Sequence, residues 1–421
     1  MDNIQLLFIF FILTSNACNA DELSQDYTWH DEKIPQIVSS DIFYLKSPTY
    51  EAEPLLELNG TCGIECQRNL PQPSLADLEE HLSYETIFDN GTRIMTKIHV
   101  QHWKPGLDSG NFKPVNQFVR QKRQVYGTDS RFSISDKHFM TTYPFSTAVK
   151  LSSGCSGILI SPKHVLTAAH CIHDGTDYVK NAKKLRVGLL KLRSKRGGKR
   201  RRGSKKNQED VKEDVEPAKK EGKKQKRKSV KKRSTAEEQG NTETARGRSS
   251  FAGKPSFQWT RVKAIQIPKG WFTEVSKNMS LDYDYAVLEL KRPHKKKYMD
   301  IGISPEAKKM PGNRLHFSGF DEDRPGELVY RFCSVSDESN DLFYQYCDAE
   351  PGSSGSGIYI RLKEPNKKKW RRKIIAIYSG HQWVDVDNEQ QDYNVAVRIT
   401  PLKYAQICYW IHGNHDSCKQ G

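Results

Sequence analysis

After its first 20 residues the 421-residue chain has no apolar run long enough to cross a bilayer, which excludes a membrane-spanning helix in the mature product. The one compact run, Leu6 to Leu13 in "MDNIQLLFIFFILTSNACNA", has no Lys or Arg before it and is followed by small residues ending at Ala20. It reads as a signal peptide over 1–20 and implies a secreted, extracellular protein. Paired CxxC knuckles are also missing, and the HxxH at His99 and His102 has no partner motif, so no metal and no cofactor is expected. Cysteine is present in a number that suits export. Nine occur, and loss of Cys18 with the signal leaves eight, Cys62, Cys66, Cys155, Cys171, Cys333, Cys347, Cys408 and Cys418, an even set able to pair in an oxidising compartment. Sequons at Asn59, Asn90 and Asn278 agree with passage through the secretory pathway and mark glycosylation candidates.

Charge is distributed in blocks that the net of +16 hides. Residues 21–123 hold 10 basic and 16 acidic side chains, a net of −6, and leave +23 to residues 124–421. Most of that excess lies in 191–240, with 21 basic and 8 acidic residues and almost nothing apolar. A segment that cannot bury apolar surface cannot offset its ordering entropy, so 193 to about 250 reads as a disordered basic insertion. Strand-like runs flank it, "KKLRVGLLKL" before and "FQWTRVKAIQI" after, which places it inside one domain. Its charge fits heparan sulfate or another polyanion through 193–240, and an exported protein gives it no reason to meet nucleic acid. Between the acidic and basic blocks stands R-x-K-R, Arg120 to Arg123, which offers clustered charge to a processing protease of the furin type. Cleavage after Arg123 leaves Gln124 as a new terminus and makes 21–123 an acidic pro-region.

From 124 onward the apolar spacing predicts short strands punctuated by turns, among them "LRVGLLKL", "YAVLEL", "RLHFSGF", "LVYRFCSV" and "DYNVAVRI". The last apolar stretch, "PLKYAQICYWIHGN", has helical spacing, with Thr400 before it and Pro401 in its first turn. An all-β barrel or sandwich with a C-terminal helix follows. One turn stands out: "CDAEPGSSGSGIYI", residues 347–360, brackets two adjacent serines with glycines before an apolar strand. Either the serines fill the turn or one is a nucleophile, and a nucleophilic serine needs a histidine base and a carboxylate to orient it.

Both partners have candidates, in "LTAAHC" and "LDYDYAVLEL". The first matches the TAAHC signature, the second resembles the D-[IL]-A-L-L-x-L strand, and "GSSGSG" resembles the G-D-S-G-G-P turn of trypsin-like serine proteases, in that family's order. The resemblance implies a chymotrypsin-like double antiparallel β-barrel, with His170 as base, Asp284 as its orienting carboxylate and Ser354 as nucleophile acting on a protein or peptide substrate. It further implies an oxyanion hole from the N–H groups of Gly352 and Ser354 and a disulfide between Cys155 and Cys171. Cys62 with Cys66, Cys333 with Cys347, and Cys408 with Cys418 are the pairings expected for the rest. "SGHQWVD" and "NVAVRITPLKYAQIC" are similar to a secreted vertebrate branch of the family, one line of which has lost its nucleophile; this chain keeps a serine there.

Two departures bear on activity. The family places Asp before the nucleophile to receive the new amino terminus, whereas this chain has Ser353, closer to bacterial glutamyl endopeptidases. Asp348, six residues before Ser354, holds the offset at which trypsins bind Arg or Lys, while His381 in "YSGHQW" is the S1 candidate for acidic side chains. Two functions stay open on this reading: a secreted endopeptidase, or a catalytically silent homologue that binds heparan sulfate through its basic loop.

Overall fold

The computed structural model describes residues 34–53, 64, 67, 71–103, 128–191, 256–273, 280–310, 312, 314–363, 370–386 and 389–418. The signal peptide, Cys62, Cys66, Asn59, Asn278, Arg123, Gln124 and the insertion at 193–250 lie outside them. Within the described residues the sequence makes two closed six-stranded antiparallel barrels, the chymotrypsin-like arrangement. The first is closed by β9 (Ser256–Pro268), β10 (Ala286–Leu290), β7 (His164–Thr167), β6 (Ser156–Leu159), β5 (Ala148–Leu151) and β8 (Arg186–Lys191), with β8 returning to β9. The second runs β16 (Trp370–Val386), β15 (Gly357–Lys363), β12 (Arg314–Gly319), β13 (Leu328–Glu338), β14 (Leu342–Gln345) and β17 (Glu389–Arg398), with β17 returning to β16. Closure leaves no free edge within either barrel.

Local chemistry explains the elements. In β12, Leu315 and Phe317 are fully buried while Arg314 faces water, the period-two alternation of a strand with one wet face. The terminal helix, Pro401–His412, starts where the Thr400 side chain accepts from the Lys403 N–H and stops at Gly413, whose φ of +71° is the left-handed cap that glycine tolerates. Among the described residues Cys155–Cys171 and Cys333–Cys347 brace the barrels, and Cys408–Cys418 ties the terminal helix to the turn after it.

The acidic block before the processing motif contributes to this fold. β1 (Gln36–Leu45), β2 (Tyr84–Phe88) and β3 (Arg93–Gln101) extend the first barrel's sheet in the order β1-β3-β2-β9. β2 pairs with β9 from Tyr84 opposite Pro268 to Phe88 opposite Ala264. Leu82, Tyr84, Ile87, Ile98 and Val100 share one buried cluster with Val187, Ile265 and Leu288 of the barrel. Polar groups lock the join: the wholly buried Glu85 accepts from Tyr178 Oη at 2.6 Å and Arg93 Nε at 2.5 Å, and Gln406 in the terminal helix donates to the Leu82 carbonyl. The −6 of this block is thus partly engaged on the first barrel, in Lys269–Glu80 and Lys291–Asp89 ion pairs.

Candidate active site

Strands β7 and β10 are neighbours in register, Thr167 opposite Ala286, so the residues just beyond their ends meet. His170 follows β7 in a short 3-10 turn and Asp284 precedes β10. One carboxylate holds the histidine twice: Asp284 Oδ1 accepts from the His170 backbone N–H at 2.8 Å, and Oδ2 faces His170 Nδ1 at 2.7 Å. Ser379 in β16 donates its hydroxyl to the same Oδ2, joining the two barrels at this point. Burial by itself pushes the Asp284 carboxyl up, but the His170 imidazole beside it and the bonds from His170 and Ser379 hold it below its ordinary value. The imidazole is thereby fixed with Nδ1 toward the acid and Nε2 pointing away.

The neighbouring aspartate of "LDYD" behaves oppositely. Asp282 is raised to about 8 by burial and by Asp341, with Lys403 opposing, and its Oδ1 has no hydrogen-bond partner. A carboxyl raised in the folded state stabilises the fold while protonated, so this contribution is present below the ordinary value of 3.8 and is lost as pH rises toward about 8. Asp282→Asn is expected to flatten that decline, seen as a smaller drop in Tm between pH 5 and pH 9 than in the unaltered protein.

The two serines of the turn differ in what each hydroxyl touches. Ser353 is fully buried and donates to the Glu350 carbonyl at 2.6 Å, whereas Ser354 is half-buried and its hydroxyl makes no hydrogen bond among the described residues. Backbone bonds pin the turn from both sides: Ser156 N–H to the Ser354 carbonyl at 2.8 Å, Ser156 Oγ to the Gly352 carbonyl at 2.7 Å, and Gly355 N–H to the Tyr378 carbonyl at 2.8 Å. Neither the Gly352 nor the Ser354 N–H donates to a described residue. Glycine is required at 355, where φ is +82° and an added Cβ would lie 2.2 Å from Thr167 Oγ1 and 2.4 Å from the Ser156 carbonyl oxygen. Gly355→Ala is expected to cost about 3 kcal/mol, read by denaturant unfolding, because the Ser156 backbone as well as the buried Thr167 side chain blocks it.

Other positions complete the picture. No hydrogen bond joins Ser354 Oγ to His170 Nε2; the contact recorded for Nε2 is Cys171 Sγ at 3.8 Å. Cys155, His170 and Cys171 bring three donor atoms within 4.8 Å of one another, but the two sulfurs are bonded to each other and present no thiolate. Asp348 is buried, and its Oδ2 accepts from both the N–H and the Oγ of Ser130 at 2.7 and 2.6 Å. His381 lies on β16, half-buried, with Nε2 3.4 Å from Asp392. Asn90 is exposed in the β2–β3 turn and accepts from the Thr92 N–H at 2.9 Å.

Two contributions had no local signal in the sequence. Ser379 reaches Asp284 across 95 residues of chain. Behind the serine turn, buried Asp321 pairs with Arg331 at 2.5 Å and with Arg131 at 2.9 Å, and Glu322 N–H bonds the Pro351 carbonyl at 2.7 Å. An internal arginine near the start of residues 124–421 thus supplies a cation beside this turn, where the sequence has Ser353 in place of an acid.

Comparison with known proteins agrees with this architecture. The trypsin family profile matches residues 135–267. Inactive serine protease 35 of Homo sapiens is 60% identical over 423 residues, spanning 100% of both chains. Serine protease 23 of Bos taurus is 48% identical over 394 residues, spanning 94% of this chain and 92% of its own. A solved Glu endopeptidase, 16% identical with a TM-score of 0.42, covers 68% of this chain and 98% of its own. On the strength of full-length identity to these relatives, the chain belongs to the trypsin-like serine protease family.

Proposed function

We propose that the protein is an exported serine endopeptidase, processed after Arg123, in which Ser354 attacks the scissile carbonyl. His170 takes the serine proton and returns it to the leaving amine, and Asp284 fixes the imidazole tautomer and stabilises the imidazolium. The N–H groups of Gly352 and Ser354 receive the oxyanion, a contribution of about 3 to 4 kcal/mol per donor in comparable enzymes. The observation that carries this reading is the buried carboxylate bonded to both His170 nitrogen donors, combined with a turn that buries Ser353 and gives the Ser354 hydroxyl and two amides no partner among the described residues. Arg or Lys at P1 fits best, since His381 already faces Asp392 and Asp348 supplies the anionic candidate. The test is a P1-diverse peptide library incubated with the Arg123-cleaved protein: cleavage absent from Ser354→Ala supports the reading, and no cleavage by the correctly folded protein rejects it.

A second reading is a catalytically silent homologue that engages heparan sulfate through 193–240. It draws support from the missing Ser354–His170 hydrogen bond and from the word "inactive" in the names of relatives such as the human one. Catalytic hydrogen bonds often tighten only with substrate present, so the endopeptidase reading is preferred. Salt-sensitive heparin retention that disappears on deleting 193–240 would favour the second; unchanged retention would remove the loop from it.

A further inference from the structure

The outer face of the second barrel carries a patch that the proposed reaction does not use. His316 on β12 sits opposite Phe332 on β13 and opposite Tyr359 on β15, and Arg361 on β15 sits opposite Arg372 on β16. Directly paired residues share a face of an antiparallel sheet, so these side chains stand together, and the alternate residues Leu315, Phe317 and Ile360 point into the core. Trp370, two positions before Arg372 on β16, lies on the same outer face. Phe332 and Trp370 are 37% and 53% exposed.

The cations of the patch are stacked on rings rather than paired with acids. Arg314 lies 5.5 Å from the Phe332 ring centroid, Arg361 5.1 Å from that of Trp370, and Arg372 5.7 Å from that of Tyr143. Among the described residues none of the three has a carboxylate within ion-pair distance, and Arg372 Nε is buried with no hydrogen-bond partner. Arg331 and Arg398 of the same barrel also lie over rings, but each has an acid besides, Asp321 and Glu338 respectively. The three charges converge, because His316 between them is held down to about 4 by burial and then by Arg361, Arg372 and Arg314. It is therefore neutral at physiological pH and donates or accepts through Nδ1 to Tyr330 Oη at 2.8 Å.

We infer that this face binds a sulfated polysaccharide, with Arg314, Arg361 and Arg372 taking sulfate groups and Trp370 receiving the face of a sugar ring. Guanidinium forks bond oxyanions through two N–H groups at once, which suits sulfate as it suits phosphate. The three arginines occupy three successive strands, β12, β15 and β16, spaced by about 4.8 Å per strand, so they form a row suited to a repeating anion rather than a pocket for one. Stacking holds each guanidinium in place before binding and so lowers the ordering cost. An exposed flat ring at the end of this row of cations, Trp370, favours a pyranose chain over an acidic peptide, whose side chains offer no comparable apolar plane. This site is separate from 193–240 and does not depend on that loop binding anything.

The test uses the full-length secreted protein and a heparin-derived octasaccharide, with affinity measured across a salt series. Arg314→Ala combined with Arg361→Ala is expected to weaken binding by about tenfold or more, and to reduce the slope of log affinity against log salt by about two. Lys184→Ala with Arg186→Ala, an equal charge change on exposed residues of the first barrel, should alter affinity less than about twofold. Equal losses in the two double variants would overturn the proposal by showing that only net charge matters. Should the Arg314 and Arg361 double variant be unstable, the single exposed change Arg361→Glu must still weaken binding, and its failure to do so rejects the site. Trp370→Ala should lower affinity without changing the salt slope; unchanged affinity removes the sugar-stacking role. Equal binding of desulfated heparin, or of polyglutamate, rejects sulfate as the recognised group. Deletion of 193–240 reads the loop separately, so either site can fail without the other.

Discussion

If the proposed endopeptidase activity holds, Asp284→Asn is expected to lower kcat/KM for the best library peptide by about four orders of magnitude while leaving the fold intact, the loss that follows when an orienting carboxylate becomes an amide. The carboxylate meets three donors at once: the His170 N–H, His170 Nδ1 and the Ser379 hydroxyl. An amide retains one acceptor oxygen and presents an NH2 in place of the other. If that NH2 faces Nδ1, the imidazole must accept there, its proton moves to Nε2, and the base for Ser354 is lost. Thermal unfolding of the variant should remain cooperative, because the amide still bonds one of the buried donors. A loss smaller than about tenfold would mean that hydrolysis does not run through His170. Ser379→Ala, which removes one donor and leaves the tautomer, should cost far less.

A chain that begins at Gln124 is expected not to fold by itself. Strands β1 to β3 supply five of the buried side chains in the first barrel's cluster, Ile37, Tyr84, Ile87, Ile98 and Val100, and Leu82 adds another. At about 1.5 to 3 kcal/mol each, burial of six such side chains is worth roughly 9 to 18 kcal/mol, comparable with the whole stability of a domain. Their removal also strips the β2 partner from β9 and leaves an exposed apolar edge. Secretion of residues 124–421 alone should give aggregate or no product, whereas protein cut after Arg123 should keep its amino-terminal piece through size exclusion in native buffer. A soluble 124–421 fragment with a cooperative thermal transition would contradict this.

Legibility followed the range over which each feature is decided. The strands from "LRVGLLKL" to "DYNVAVRI" and the terminal helix were readable because apolar alternation and caps are local. His170, Asp284 and Ser354 were readable because each sits in its own short motif, although nothing in the sequence placed them in contact. The acidic block reads as a unit defined by charge, and Glu80 and Glu85 are two of its 16 acidic residues. Their partners Lys269 and Tyr178 lie far along the chain, so the block's place in the barrel sheet had no local signature. Ser379 and the Arg131–Asp321–Arg331 cluster were hidden for the same reason. The outer-face arginines and rings of the second barrel fall on three separate strands, and only the register aligns them.

The central claim is that Ser354, and not Ser353, is an activated nucleophile. Its most direct test is fluorophosphonate labelling of the secreted, Arg123-cleaved protein, followed by peptide mapping of the adduct. The account predicts an adduct on Ser354 that is absent from Ser354→Ala and retained in Ser353→Ala. No adduct in folded protein, or one that survives Ser354→Ala, would contradict it.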